Sequence, residues 1–329
     1  MSKYLELVEG SFNESHFDKQ KNQNPYVAYS IKDDRVIYNI VPKEDGYTLI
    51  TLKKVDISNI SYEEVDLGLS SGLKWANKNV GAQTIEDYGT YFSWGNTDGY
   101  TVSGTKFLTV DEACQLISSV FGETITTKEE LENMLSQVGM TIDNLGTVDR
   151  YSFDENTYNG TTGAGFTGDV LDSTHDAATV NMGEDWRMPT TDEYKELITA
   201  IKSSDGTKGT LTCQYEYIDL NGEQQSLVVY NDTENGYFGV EGLIVDDSYI
   251  FKTILGIRFT NDDTGASVYF PACGSVNGSV LAFIGFFGGY WSSSFNDTTN
   301  ARYFIFNPND VSALDPYNRY SGLCVRAVK

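Results

Sequence analysis

Few side chains of this sequence are of the kinds that do covalent or metal chemistry. It contains only two histidines, His16 and His175. A Ser-His-Asp site needs a histidine beside its nucleophile, and a histidine-rich metal site needs several histidines close together. The sequence gives few candidates for either. His175 is flanked by Asp172 and Asp176, but we predict a solvated loop histidine in preference to a cation ligand.

The cysteines and glycines do not form a familiar chemical motif. Cys114, Cys213, Cys273 and Cys324 are far apart and include no C-x-x-C pair, which argues against a zinc knuckle or a dense disulfide framework. Each is predicted to be a small buried hydrophobic residue, with a single disulfide left open. No phosphate-binding loop precedes a helix, so nucleotide binding lacks support.

Non-covalent recognition is better supported by the composition of the C-terminal part. Of the 30 residues over 292–321, 16 are Ser, Asn, Asp or Tyr, against two arginines and no lysine. Tyrosine supplies rigid contact area, and Ser and Asn supply adaptable hydrogen bonds. Turns also favour Asn, Asp and Ser, but turn chemistry does not require Tyr303, Tyr317 and Tyr320. We interpret this window as a candidate binding surface.

The net charge restricts the classes of partner. With 23 basic and 47 acidic residues the formal charge is −24, which repels nucleic-acid phosphates and anionic lipid headgroups. We expect no nucleic-acid binding and no membrane insertion, since no stretch approaches the ~20 apolar residues of a membrane span. The charge is interpreted as a source of solubility, with cation binding as the alternative. Residues 1–20 lack the pattern of a signal peptide.

The framework that must position these residues is predicted in two parts. Residues 1–62 contain alternating runs that predict a small β-rich N-terminal module or assembly arm. Residues 63–329 form the second domain, with polar insertions near 100–182 and 203–250. Helices are predicted over 110–121, 126–139 and 190–202. Strands are predicted over 26–31, 35–41, 47–52, 256–260, 267–273, 289–294, 301–307 and 322–328.

Short motifs in a fixed order carry a family resemblance over 65–329, apart from the two insertions. They are V-D-L-G-L-x-S-G-x-K-W-A (65–76), E-D-Y-G-x-Y-F-S-W-G (86–95), W-R-M-P-T (186–190), F-P-A-C-G (270–274), G-Y-W-S-S-S (289–294) and G-x-x-V-R-x-V (322–328). This series resembles C-type-lectin-like domains of the formylglycine-generating-enzyme type. Within that group it is similar to gut-bacterial paralogous surface domains and to variable proteins of diversity-generating retroelements, including phage receptor-binding proteins like the major tropism determinant.

The resemblance implies an α+β C-type-lectin-like fold of short antiparallel strands, a few helices and long loops. The motif tryptophans, Trp75, Trp94, Trp186 and Trp291, are predicted to be core anchors because each lies inside an apolar motif. Arg326 is predicted to form a structural ion pair with a carboxylate. In the helix over 190–202, Thr190 is predicted as the N-cap and Glu193 as its capping-box partner.

The resemblance also assigns the binding residues. In retroelement variable proteins, the stretch after G-Y-W-S-S is diversified by adenine-directed mutagenesis, which converts Asn codons into codons for Asp, Ser, Tyr, Thr and Ala. By that resemblance, the ligand-facing residues are Ser294, Asn296, Asp297, Asn300, Tyr303, Asn307, Asn309, Asp315, Tyr317, Asn318 and Tyr320. Phe304, Phe306 and Val325 are expected to alternate inward.

Catalysis and metal binding receive less support from the resemblance. Formylglycine-generating enzymes use paired thiols and a metal, but here only Cys324 lies in the final motif, and Cys273 would have to approach it in space. We therefore predict that the chain is not an enzyme and has no catalytic residues. Sugar-binding lectins of the superfamily hold Ca²⁺ with an x-Pro-Asn and a Trp-Asn-Asp element. The run 307–310 resembles the first superficially, but a turn at Pro308 is favoured; no cofactor is expected, and Ca²⁺ stays the open alternative.

These inferences predict a ligand- or receptor-binding protein, an adhesin at a phage tail tip or on a cell surface. Its expected partner is a host cell-surface protein or glycan. The N-terminal region is expected to join it to a virion or surface assembly, or to a homotrimer. The alternatives are a non-diversified bacterial surface domain with a glycan-binding or structural role, and an enzyme of the formylglycine-generating type.

Overall fold

The computed structural model describes residues 26–29, 37–43, 46–52, 60–101, 114–115, 118, 124–137, 146–147, 168–233, 235–246, 248–277 and 280–329. The chain divides into two units. The first consists of residues 1–56 with 101–105, and the second of 57–100 with 106–329. His16, most of the helix predicted over 110–121 and most of the 100–182 insertion lie outside the described residues.

The first unit contains a three-stranded antiparallel sheet. Its strands are β1 (Tyr26–Tyr29), β2 (Ile37–Lys43) and β3 (Gly46–Leu52), in the order β1-β2-β3. The pairing of Lys43 with Gly46 closes the β2–β3 hairpin. The strands predicted from the alternating runs in this part of the sequence are therefore confirmed.

The second unit is mostly β-sheet. Its strands are β4 (Glu64–Asp66), β5 (Lys74–Ala76), β6 (Thr90–Tyr91), β7 (Tyr100–Thr101, whose second residue belongs to the first unit), β8 (Gly146–Thr147), β9 (Leu211–Asp219), β10 (Gln224–Val229), β11 (Tyr237–Gly239), β12 (Ile244–Val245), β13 (Ser248–Tyr249), β14 (Phe251–Asn261), β15 (Ser267–Pro271), β16 (Ser275–Asn277), β17 (Val280–Ala282), β18 (Gly288–Phe295), β19 (Asn300–Phe306), β20 (Asp310–Ser312) and β21 (Pro316–Asn318). The described residues also form three helices: α1 (Lys128–Gln137), α2 (Ala177–Met182) and α3 (Thr191–Thr199). None of the helices in the described part of the chain is long and apolar enough to cross a membrane.

Helix α3 begins where the sequence predicted. Thr190 Oγ1 accepts a hydrogen bond from the Glu193 N–H, and the Glu193 carboxylate accepts one from the Thr190 N–H, so the capping box is confirmed. Helix α2 was not predicted. Its N-cap is Asp176, whose carboxylate accepts hydrogen bonds from Ala178 N–H and Thr179 N–H and also from Met188 N–H at 2.8 Å. Burial raises the pKa of Asp176 despite these bonds.

The segment 203–250, expected as an insertion, contributes strands to the core. Strands β10-β9-β14-β15 form one sheet in that order. Along β9, the side chains of Leu211, Cys213 and Tyr215 are completely buried, while the residues between them are half-buried. This alternation places one face of the hairpin in the core, although the intervening Thr, Gln and Glu give the sequence a polar composition.

The second main sheet carries the C-terminal window. Its order is β11-β20-β19-β18, and β21 also pairs with β19. Strand β19 lies between β18 on one side and β20 and β21 on the other, so it is a central strand. The C-terminal segment after β21 closes the unit, because Phe92 pairs with Leu323, and Trp75 and Arg187 each pair with Val328.

Core positions follow the motif predictions in all but one respect. The four motif tryptophans are each 7% exposed or less, so their prediction as core anchors is confirmed. The ion pair predicted for Arg326 is wrong. Its buried guanidinium donates to Asn79 Oδ1 at 2.7 Å and to the carbonyl oxygens of Ala76 (3.2 Å) and Tyr269 (2.6 Å). These neutral acceptors and the Phe270 ring, whose centroid is 4.6 Å away, replace a carboxylate.

Candidate functional site

The turn between β18 and β19 is organised by one carboxylate. Asp297 Oδ1 accepts hydrogen bonds from the N–H groups of Thr299 and Asn300, both at 2.8 Å, and from the Thr299 hydroxyl at 2.9 Å. Its Oδ2 accepts from Asn296 Nδ2 at 2.6 Å. The bond from the Thr299 N–H and the others hold the pKa of Asp297 well below its usual range. Asp297 therefore shapes the turn, and most of its acceptor capacity is used within it.

A buried arginine supports this turn from below. Arg319 is 1% exposed, and its Nη1 donates to the carbonyl oxygens of Asp297 (3.3 Å) and Thr298 (3.0 Å). Its guanidinium lies 4.6 Å from the Trp94 ring centroid and 5.4 Å from that of Phe295. Backbone bonds join Arg319 N to Thr299 O and Trp94 N to Arg319 O. The Arg319 guanidinium, packed against the Trp94 and Phe295 rings, thus attaches the β18–β19 turn to the core.

Strand pairing brings a second segment beside the turn. Asn300 pairs with Asn318 across β19 and β21, and Asn318 Nδ2 donates to the Tyr320 hydroxyl at 3.0 Å. Thr298 and Thr299 are exposed, and the other members are partly exposed. We call this set the tip surface: Asn296, Asp297, Thr298, Thr299, Asn300, Asn318 and Tyr320. It unites five of the residues predicted to face a ligand.

Two predicted tyrosines lie deeper than the tip surface. Tyr303 is only 7% exposed, and its ring packs between Trp291, at 6.5 Å, and Tyr317, at 5.1 Å. Tyr303 is therefore buried and does not lie on the surface, because its face of β19 packs into the cluster that includes Trp94 and Leu323. Tyr317 is partly exposed, and its hydroxyl lies 3.2 Å from Ser275 Oγ. Burial raises the pKa of both hydroxyls.

Asn307 and Asn309 lie at the opposite end of β19. Asn307 Oδ1 accepts from the N–H groups of Asn309 (2.8 Å) and Asp310 (3.2 Å), and its Nδ2 donates to Asp310 Oδ1 (2.7 Å). We call residues 307–310 the far turn. With ~3.3 Å per residue, β19 separates it from the tip surface by roughly 20 Å, so the predicted residues do not form one patch.

The remaining predicted residues flank these turns. Asp315 is exposed between β20 and β21. Its charge and, more strongly, burial raise the pKa of Asp310. Ser294 is partly buried, and its Oγ accepts a hydrogen bond from Thr191 N–H at 2.9 Å, at the start of α3. Ser294 therefore joins the helix to the sheet beside the tip surface.

The side chains that can bind cations are scattered in the part of the chain that the structure describes. No three His, Cys, Asp or Glu side chains within those ranges come together as a group that could hold a metal ion. His175 Nδ1 lies 2.8 Å from Asp172 Oδ2, and Asp176 points instead to the first turn of α2. Hydrogen bonds from the Thr174 hydroxyl and then from His175 lower the pKa of Asp172 to about 2.

Sequence reasoning missed the residue on which the tip surface depends. In the sequence, Arg319 is simply one of two arginines in a polar window. Its neighbours Asn318 and Tyr320 are polar, so the local sequence does not indicate that Arg319 is buried. The carbonyl oxygens that accept its hydrogen bonds are more than twenty residues away along the chain. Thr298 and Thr299 were also missed, although a Thr-Thr pair after Asn-Asp is typical of a turn.

Comparisons with protein-family models, with curated proteins and with solved structures find no match to this chain.

Proposed function

We propose that this protein is a non-enzymatic ligand-binding protein with a C-type-lectin-like fold, and that the tip surface is its binding site. The proposal depends on one observation. Thr298 and Thr299 are exposed beside asparagine and tyrosine side chains, and the buried Arg319 holds this turn in place through hydrogen bonds to the carbonyl oxygens of Asp297 and Thr298. Preorganised Tyr, Asn and Thr side chains recognise macromolecular ligands at a low entropic cost.

The chemistry of the tip surface favours a host cell-surface protein or glycan as the ligand. The tip surface contains no lysine or arginine, the Arg319 beneath it is buried, and Asp315 nearby is exposed. Such a surface gives an anionic ligand no countercharge, so we propose a neutral glycan or a neutral to basic protein patch. Diversification of the window by a retroelement is part of the same proposal, as is display on a virion or cell surface.

Binding is proposed in place of catalysis because the neighbouring thiols Cys273 and Cys324 are fully buried. A redox centre of the formylglycine-generating type would have to present its thiols to a substrate. The family resemblance is supported by the way the C-terminal segment pairs with Trp75 and Phe92, since these pairings join the first two motifs of the series to the last.

A matched pair of substitutions tests the site. Thr298→Arg adds bulk and charge at the centre of the tip surface, while Asn309→Arg makes the same addition at the exposed far turn. The labelled full chain is first screened on a glycan array and on intact bacterial cells, and each ligand found is titrated with both variants. We expect Thr298→Arg to weaken binding by about tenfold or more, and Asn309→Arg by less than about twofold.

Circular dichroism and thermal unfolding of both variants serve as the folding control. Equal affinity of wild-type protein and Thr298→Arg for every ligand would exclude the tip surface as the binding site. A stronger loss for Asn309→Arg would move the site to the far turn.

A further inference from the structure

Two cysteines of the second unit lie side by side in its core. Cys273 follows β15, Cys324 lies in the C-terminal segment, and both are fully buried free thiols. Cys273 Sγ is 3.5 Å from the carbonyl oxygen of Gly289, and the next residue, Tyr290, pairs with Cys324. The same stretch of β18 thus contacts both residues, and the pairing of Val276 with Gly322 places their two segments next to each other.

The surroundings of the pair keep it out of contact with solvent. The Tyr91 hydroxyl donates to Cys273 O at 2.6 Å, and the Tyr290 hydroxyl donates to Pro271 O at 2.6 Å. Burial raises the pKa of Cys324, and the adjacent Cys273 raises it further. Both thiols are fully buried, so a disulfide in solution cannot reach them and the folded protein resists disulfide exchange.

We propose that Cys273 and Cys324 are a disulfide-forming pair that is oxidised while the chain folds in the presence of a protein or glutathione disulfide. One cysteine thiolate attacks the oxidant and releases a thiol, and the second attacks the resulting mixed disulfide and releases another. The two cysteines lose two protons and two electrons as their S–S bond forms. The oxidant gains both as its own S–S bond becomes two thiols.

The bond would close the chain from residue 273 to residue 324. This loop contains β18, β19, the tip surface and the far turn. A cross-link of this span restricts the unfolded chain and thereby stabilises the folded unit. The framework would then keep its topology whatever residues occupy the turns. The proposal that Cys273 and Cys324 form a disulfide does not depend on the proposed binding function.

Expression of the full chain in two compartments of one bacterial host tests the pair. The chain is made in the reducing cytoplasm and, with an added export signal, in the oxidising periplasm. Free thiols are alkylated under denaturing conditions, and the digested protein is mapped by mass spectrometry. We expect four alkylated cysteines in the cytoplasmic protein. The periplasmic protein should have two, with a cross-linked peptide joining Cys273 and Cys324.

Cys213→Ser provides the matched control because Cys213 is equally buried, with burial as the cause of its raised pKa. We expect this variant to keep the cross-link and Cys324→Ser to lose it. Four free thiols in the folded periplasmic wild-type protein, or a cross-link to Cys114 or Cys213, would overturn the proposal. Because the wild-type peptide map decides the outcome, a folding defect in a variant does not obscure it.

Discussion

Replacing Arg326 with methionine is expected to lower the free energy of unfolding by about 3–5 kcal/mol. Burial lowers the pKa of Arg326 to about 10, so the guanidinium stays charged at neutral pH. Methionine keeps much of the packing against Phe270 but donates no hydrogen bond. The Asn79 side-chain oxygen and the carbonyl oxygens of Ala76 and Tyr269 would lose these donors, and a buried acceptor without a partner costs about 1–3 kcal/mol.

Equilibrium denaturation in urea measures this loss. Arg326→Lys should recover part of it, because lysine keeps the charge but lacks the planar fork that reaches all three acceptors. Lys252→Met is the control, since Lys252 is exposed on β14, and its effect should stay below about 0.5 kcal/mol. A loss under about 1 kcal/mol for Arg326→Met would show that its acceptors find other donors.

Arg319→Met is expected to cost about 2–4 kcal/mol and, in addition, to loosen the tip surface selectively. The substitution removes the donors to the carbonyl oxygens of Asp297 and Thr298 and the charge stacked on Trp94. Hydrogen exchange of the Thr299 and Asn300 amides, which are bonded to Asp297, should accelerate by about tenfold or more relative to the far-turn amides. Binding to any ligand of the tip surface should weaken with it.

Faster exchange at the tip-surface amides alone would distinguish a positioning role of Arg319 from a general effect on stability. Arg302→Met is the matched control, because the other arginine of the window donates to the Leu314 carbonyl oxygen, away from the tip surface. We expect it to leave the Thr299 and Asn300 amides unchanged. If Arg319→Met accelerates exchange equally at both turns, Arg319 stabilises the whole unit and does not specifically position the tip surface.

Features set by local sequence were predictable. The capping box of α3 depends on Thr190 and Glu193, three residues apart, and the β2–β3 hairpin depends on alternating residues beside a turn. The tryptophans were identified because each lies in a short apolar motif. Such features need no knowledge of which distant segments meet.

Features set by distant partners were not predictable. Arg326 and its acceptor Asn79 are 247 residues apart. The sequence near Arg326 therefore does not show that its partner is an amide oxygen and not a carboxylate. The family resemblance placed Tyr303 among the ligand-facing residues, with Phe304 expected to alternate inward. The structure instead leaves Tyr303 only 7% exposed, because its face of β19 packs into the buried cluster that includes Trp94, Trp291 and Leu323. Similarly, the separation of the tip surface from the far turn follows from the length of β19 and the pairing of Asn300 with Asn318.

We propose that the tip surface varies while the framework beneath it is fixed. Sequencing the 3′ end of this gene across a population of its source organism, codon by codon over 285–328, tests that claim most directly. We predict that substitutions concentrate at adenines in the codons of Asn296, Asn300, Asn318 and Tyr320 and spare Trp291, Tyr303, Arg319 and Val325. Substitutions that are scattered and mostly synonymous, or that are equally frequent at Trp291 and Arg319, would contradict it.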